Sequence, residues 1–307
     1  MKLTISIIGF GNIGKAICSL LLPFKGYEFT INIIDTNEEV QGAILDFQHG
    51  NQLFNAHKIV FNNFDLFNES AYVFHCAGAS VPKGQSRLFT CNESIRITEA
   101  VLKNYSPRVN PIFIIVSNPV EIIATITQKI TGLPSSSIIG TGTLLDSLRM
   151  NYCISKSHPE LVNVNSVVIG EHGSTAFYSR QLSQINGENS SSYLNDETIE
   201  QLMTEVVNSA ALIKTTQKAT IYGVSFCAIR IFESLLSKDD FYYPVSTKIP
   251  DWLKSSLKTD GVYLSLYSKI SSNGAFPDPN YQPNKQELQL LQKSVDSLLP
   301  CIPKHYL

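Results

Sequence analysis

Residues 4–14 read Thr-Ile-Ser-Ile-Ile-Gly-Phe-Gly-Asn-Ile-Gly. The apolar, β-branched run Thr4 to Ile8 predicts a strand, and it leads straight into Gly9, Gly11 and Gly14, spaced G-x-G-x-x-G, with a helical pattern opening at Ile13. Such glycines permit a tight turn, close approach of a pyrophosphate and close packing of helix on strand. The free N–H groups at Asn12, Ile13 and Gly14 then face the anion. A second predicted strand, Phe29 to Ile34, ends at Asp35, about 20 residues further on, where a carboxylate accepts hydrogen bonds from a ribose diol. No Arg follows Asp35, and its charge would repel a 2′-phosphate, so the pattern selects NAD over NADP. The plainer alternative is a glycine-rich turn with Asp35 capping a strand end.

Outward from this unit the first half keeps alternating. Lys58 to Phe61, Tyr72 to Cys76, Ile112 to Val116 and Ser137 to Ile139 are continuous apolar strands, suited to burial on both faces. Ile13 to Leu22, Val40 to Gln48, Asn92 to Leu102 and Glu121 to Ile130 carry apolar residues at helical spacing. The expected fold is α/β, a doubly wound parallel-sheet domain over residues 1–140 followed by an α+β domain over 141–307. In that second part Leu144 to Ser155, Glu197 to Lys218 and Gln286 to Leu299 predict helices, Val164 to Ile169 a strand, and Tyr242 to Tyr281 β-rich chain with turns. No Pro/Gly-rich linker separates the halves, so they are expected to pack closely near Gly140 to Gly142.

Of the 307 residues, 43% are hydrophobic and 16% charged, which excludes a disordered or fibrous chain. A net charge of -2 with scattered Lys and Arg leaves no basic field for nucleic acid. The six cysteines form no C-x-x-C pair, which disfavours both metal binding and disulfides. The run Leu3 to Phe10 is too short for a membrane span and lacks a cleavage site. The expectation is therefore a cytoplasmic protein with no membrane, metal or nucleic-acid partner.

Three later segments carry chemistry. Ile169-Gly-Glu-His-Gly173 sets His172 on a glycine-flanked loop after a strand, where an imidazole reaches a cleft, although histidines also sit at such places with no proton-transfer role. Gly140-Thr-Gly-Thr-Leu-Leu-Asp-Ser-Leu-Arg149 places Asp146 and Arg149 on one helix face. They either pair with each other or take separate partners, an imidazole for Asp146 and a substrate carboxylate for the Arg149 fork. Gly78-Ala-Ser-Val-Pro-Lys-Gly-Gln-Ser-Arg87-Leu88 is a glycine-flanked loop with one Arg ahead of a helix, either a mobile lid or a solvated surface loop.

Taken in order, the G-x-G-x-x-G, Asp35, Leu45-Asp-Phe-Gln-His-Gly50, the Gly78 to Leu88 loop, Val116-Ser-Asn-Pro-Val120, Ile139 to Arg149 and Gly170 to Gly173 resemble the L-lactate and L-malate dehydrogenases, to about Ile231. The resemblance implies a Rossmann domain and an NAD-dependent L-2-hydroxy acid dehydrogenase, with a small 2-oxo or 2-hydroxy acid as substrate and a homodimeric or homotetrameric assembly. His172 would donate the proton, Asp146 would fix its tautomer and favour the imidazolium, and Arg87 would stabilise the carbonyl oxygen. Arg149 would clamp the carboxylate, with Asn118, Val81 and Thr220 lining the substrate pocket. Ala77, Gly78, Ser117 and Asn118 would join the glycines and Asp35 around NAD.

The sequence also departs from the family. Val81 stands where lactate dehydrogenases carry Gln and malate dehydrogenases Arg, and an apolar wall cannot pair with a second carboxylate. L-lactate dehydrogenase is the first expectation, an L-2-hydroxyisocaproate-type enzyme for longer apolar chains the second, and malate dehydrogenase the third. Asn151 and Asn165 replace the cationic pair that binds fructose 1,6-bisphosphate in several bacterial relatives, so no such activation is expected. Glu121 replaces the Asp that usually follows Asn-Pro-Val, Ser174 replaces a frequent Asp, and Tyr263 to Phe276 lacks the usual Gly-x-Pro. Two rivals remain: a non-catalytic NAD-binding sensor or scaffold, and a short-chain-type reductase using the Tyr152-x-x-x-Lys156 spacing.

Overall fold

The computed structural model describes residues 1–54, 56–79, 87–217 and 219–307, without the side chains of residues 87–89 and 214. In the first half β1 (Lys2–Ile8), α1 (Asn12–Leu21), β2 (Glu28–Ile34), α2 (Val40–Asn51), β3 (Lys58–Phe61), α3 (Phe64–Asn68), β4 (Tyr72–His75), α4 (Arg87–Leu102), β5 (Ile112–Ile115), α5 (Val120–Thr131) and β6 (Ile138–Gly140) alternate. The strands are parallel in the order β6-β5-β4-β1-β2-β3. Successive residues of one strand face opposite sides of the sheet. Val73, Phe113 and Ile115 accordingly feed one apolar core, and Phe74, Ile112 and Ile114 the other. Burial on both faces is why these strands read as unbroken apolar runs. The Rossmann-type parallel sheet expected from the glycine motif is the fold observed.

The second half comprises α6 (Leu144–Ser157), β7 (Val164–Asn165), β8 (Val168–Ile169), β9 (Phe177–Tyr178), β10 (Gln184–Ile185), β11 (Glu188–Asn189), α7 (Asp196–Gln217), α8 (Tyr222–Leu236), β12 (Phe241–Lys248), α9 (Asp251–Lys254), β13 (Tyr263–Ser271), β14 (Gly274–Pro277) and α10 (Lys285–Leu298). β12 docks antiparallel on β6 through Ser246 and Gly140, and β13 and β14 follow. Among the described residues one nine-stranded sheet, β14-β13-β12-β6-β5-β4-β1-β2-β3, therefore runs through both halves.

One reading of the sequence needs correction. Val164 to Ile169 is not one strand: β7 pairs with β10 and β8 with β9, in separate small sheets. The break lies at Ser166 and Val167, whose N–H groups are taken by the side chains of Asn151 (2.8 Å) and Ser183 (2.9 Å) instead of a ladder. The helix expected over Glu197 to Lys218 is observed as α7 (Asp196–Gln217), and Lys218 lies outside the described residues. Among the described residues no single helix is long and apolar enough to cross a membrane.

Candidate active site

The glycine loop is fixed by its surroundings. Gly9 has φ +86, its N–H donates to Ile34 O (2.8 Å), and a methyl group on it would stand 2.6 Å from the Ala77 backbone. At Gly14 a methyl would lie 2.1 Å from the Gly9 carbonyl oxygen, so β1 and α1 approach as closely as two backbones allow. At Gly11 it would meet nothing within 4 Å. Gly11 is also the residue before α1, and no side chain caps the helix there, which leaves its first N–H groups directed at that open space. Asp35 Oδ2 accepts the Phe10 N–H (2.6 Å) and Oδ1 the Asn37 N–H (2.9 Å). The acid is thereby held beside the glycine loop with lone pairs left for a diol.

Across the crevice, Ala77 and Gly78 follow β4, and Ser117 and Asn118 follow β5. Ser117 Oγ is buried with no partner among the described residues, and a methyl on Gly78 would stand 2.2 Å from it. Asn118 is exposed and joined to Pro119 by a cis peptide. An uncapped helix start, an open Cβ position, an orphaned hydroxyl and a carboxylate at the end of β2 form a set that fits a dinucleotide.

At the same edge of the sheet, α6 and the loop after β8 meet. His172 Nδ1 lies 2.7 Å from Asp146 Oδ2, and Arg149 Nη1 lies 3.0 Å from Asp146 Oδ1. Asp146 thus takes both partners at once, one on each oxygen. The side chains of Asp146 and Arg149 are each only 13% exposed and that of His172 26%, so this is a partly desolvated triad and not a surface pair. Burial acts to raise the Asp146 carboxyl, but His172 and then Arg149 outweigh it and hold the group below the usual carboxylate value. The contact is set by backbone staples. Thr143 Oγ donates to Val168 O, and Val168 N–H donates to Ser147 Oγ (2.9 Å), pinning the first turn of α6 to β8.

A further carboxylate reaches the same histidine from behind. Glu121, 1% exposed at the start of α5, accepts the His172 backbone N–H (3.2 Å) and the hydroxyls of Ser246 and Ser265 (2.9 Å each) on Oε1. Burial pushes this carboxyl up, and His172 and the two hydroxyls draw it down without cancelling the rise. Cys227 of α8 borders the triad. Burial pushes its thiol up to about 12, with Asp146 adding to the rise and Arg149 opposing it.

Residues 3–140 match the family model for the lactate/malate dehydrogenase NAD binding domain, and residues 143–306 that for the lactate/malate dehydrogenase alpha/beta C-terminal domain. The chain belongs to the lactate/malate dehydrogenase family. It is 28% identical over 304 residues to an L-lactate dehydrogenase of Clostridium botulinum, covering 96% of this chain and 94% of that one. An L-lactate dehydrogenase of Halalkalibacterium halodurans is 28% identical over 298 residues, with 96% and 94% covered. The minor L-lactate dehydrogenase from Enterococcus mundtii superposes with a TM-score of 0.86 at 25% identity over 98% of this chain and 97% of that one. A malate dehydrogenase from Archaeoglobus fulgidus in complex with NADH shares the fold, with a TM-score of 0.84 at 20% identity and 98% of each chain covered. The lactate/malate dehydrogenase assignment makes the protein an NAD-dependent oxidoreductase acting on a small 2-hydroxy or 2-oxo acid.

Other residues singled out in the sequence fall in varied places. Thr220 is half-buried just before α8, whose Gly223 packs against Leu145, the neighbour of Asp146. Val81 lies outside the described residues, and Arg87 opens α4 with its side chain outside them. Tyr152 and Lys156 lie exposed on α6, whereas Asp146 on the same helix is buried against His172, which removes the geometric basis of the short-chain reductase reading. Ser246, Ser265 and Cys227 were not legible as site residues, and Glu121 stood out only as a departure from a motif.

Proposed function

We propose that this chain is an L-lactate dehydrogenase, converting pyruvate, NADH and a proton to L-lactate and NAD. The observation that carries the reading is the partly buried triad, with imidazole and guanidinium on opposite oxygens of one carboxylate. Residues 1–140 hold the cofactor and residues 141–307 supply the triad. When bound, the nicotinamide supplies a hydride to C2 of the 2-oxo acid, or accepts one in the reverse direction. Every other requirement falls to the protein.

Asp146 accepts the Nδ1 proton of His172, which leaves Nε2 as the atom that passes a proton to the carbonyl oxygen and takes one back in oxidation. Asp146 occupies one N–H of Arg149, and the remaining donors of the fork are available to a substrate carboxylate. Arg87 stabilises charge growing on the carbonyl oxygen. Asn118 binds at the nicotinamide ribose and substrate oxygen, Thr220 and Val81 line the pocket, and Gly9, Gly11, Asn12, Ile13, Gly14, Asp35, Ala77, Gly78 and Ser117 hold the dinucleotide. The enzyme works in the cytoplasm as a homodimer or homotetramer. Exposed apolar side chains on and just after α2, Leu45 at 52% and Leu53 at 85%, support such a contact.

Val81 favours a second reading, an L-2-hydroxyisocaproate-type enzyme, because each further methylene against an apolar wall is stabilising by about 0.8 kcal/mol. A panel of 2-oxo acids under NADH separates the two, and oxaloacetate as best substrate would refute both. His172→Asn is expected to abolish turnover while NADH still binds, and near-normal activity in that variant would remove His172 from the mechanism.

A further inference from the structure

Glu121 is a buried acid that the proton-transfer scheme does not use. Burying a carboxylate is costly unless it is paired with a cation or well supplied with donors. Among the described residues no Lys or Arg pairs with Glu121, and the charged neighbour it feels is the His172 imidazole. Its donors come from three separate places in the fold, the His172 N–H, Ser246 on β12 and Ser265 on β13. The two serines stand opposite each other in register, with their hydroxyl oxygens 3.0 Å apart. Ser265 also holds the base of the same loop. Its backbone exchanges two hydrogen bonds with Gly170, from Gly170 N–H (2.9 Å) and to Gly170 O (3.1 Å).

We infer that Glu121 is a positioning residue for proton transfer: seated on the Ser246 and Ser265 hydroxyls, its carboxylate fixes the backbone of His172 while Asp146 fixes the ring. This rests on His172 being the proton donor. One residue is then held at two points, by carboxylates from α5 and α6, so the imidazole cannot pivot about its own backbone when the Asp146 contact stretches. A residue displaced by about 1 Å in such a site costs roughly a hundredfold in rate, which makes a second anchor worth a buried acid.

The test compares Glu121→Met, of similar volume but without an acceptor, with Glu121→Gln, which keeps one. The substrate is the fastest of pyruvate, 2-oxobutyrate and 4-methyl-2-oxopentanoate, under NADH. Glu121→Met is expected to lower kcat by about 30-fold or more, with KM and NADH affinity within about threefold of wild type. Glu121→Gln should recover kcat to within about fivefold. In the protein without ligands, amide hydrogen exchange of the peptide carrying residues 170–173 should speed up in Glu121→Met and be restored in Glu121→Gln. An unchanged kcat in Glu121→Met overturns the inference, as does a fall in kcat joined by a raised KM and weakened NADH affinity, or a glutamine variant no better than methionine. If Glu121→Met does not fold, the Ser246→Ala/Ser265→Ala variant decides: about a tenfold fall in kcat at constant NADH affinity supports the role, and full activity overturns it. A dead His172→Asn beside a fully active Glu121→Met sinks the role of Glu121 alone, whereas an active His172→Asn overturns both readings.

Discussion

Alanine at Gly11 and alanine at Gly14 should separate cofactor binding from folding. At Gly14 the new methyl would stand 2.1 Å from Gly9 O and 3.3 Å from Ile7 Cγ2, where ordinary contact begins at 3.4 Å, so relief needs about 1 Å of movement. Neither side can supply it. α1 is locked by Ile17, Cys18 and Leu21, all fully buried, and Gly9 is pinned by its bond to Ile34 O and by the Ala77 backbone. Overpacking of this kind costs about 1–3 kcal/mol, and Gly14→Ala should melt several degrees below wild type. Gly11 has φ -71 and open space around its α-carbon, so an alanine there is compatible with the backbone and should leave the melting temperature near wild type, its gain through the unfolded chain offset by its poorer fit at a helix N-cap. Its methyl nevertheless fills the space in front of the uncapped helix start, and NADH affinity should fall about tenfold or more. Calorimetry and NADH fluorescence titration on the two variants give four numbers. Wild-type affinity in Gly11→Ala would refute the placement of the pyrophosphate, and a wild-type melting temperature in Gly14→Ala would refute the rigidity argued for the loop.

Arg149→Leu removes a guanidinium that is only 13% exposed, and losing a buried charged contact costs about 2–5 kcal/mol. KM for pyruvate should rise by about two orders of magnitude at unchanged NADH affinity, and a KM within about threefold of wild type would contradict the clamp. Fructose 1,6-bisphosphate should leave KM for pyruvate unchanged, since Asn151 is engaged by the Ser166 N–H and Asn165 lies across from Gln184 in a small sheet, neither offering a cation. Acid should destabilise the fold through His75, which is fully buried, donates Nε2–H to Thr98 Oγ and has no partner for Nδ1 among the described residues. Burial lowers its pKa to about 4 from 6.5, so the unfolded chain binds more protons between those values. The contribution is full above pH 6.5 and is lost as pH falls towards 4, about 3 kcal/mol in all. Denaturant melts at pH 7.5 and 4.5 should show a smaller pH difference in His75→Gln than in wild type, and an equal difference would refute the assignment.

What the sequence disclosed depended on how local each signal was. The glycine loop, its strand and Asp35 are contiguous or separated by one helix, and periodicity sufficed for them. The His172 to Asp146 contact joins residues 26 apart on different elements, and only the order of motifs suggested it. Whether Asp146 and Arg149 pair with each other or serve other partners was undecidable from i, i+3 spacing, and a carboxylate with two oxygens does both. Ser246 and Ser265 reach Glu121 across 125 and 144 residues, and a single serine in an apolar strand carries no sign of the acid it serves. α8 was illegible for a different reason. Val224, Phe226, Ile229, Ile231 and Phe232 are β-branched or aromatic, and such a run reads equally as strand or buried helix.

The site owes its rigidity to a position that neither half possesses alone. Gly140, the last residue of β6, pairs with Ile115 on the parallel side and with Ser246 on the antiparallel side. The chain then turns through Gly142, where a methyl would strike Ser265 Oγ at 2.5 Å, and enters α6 with Asp146 in its first turn. On the antiparallel side Ser265 holds Gly170, on the parallel side Glu121 leaves β5 by way of α5, and both lead to His172. His172 is thus tied to the strands that shape the glycine-loop crevice and to those that close the second half. For the proton transfer proposed for His172, little play against the cofactor is tolerable, and a sheet that continues through the Gly140–Ser246 pair holds the crevice and His172 on one framework.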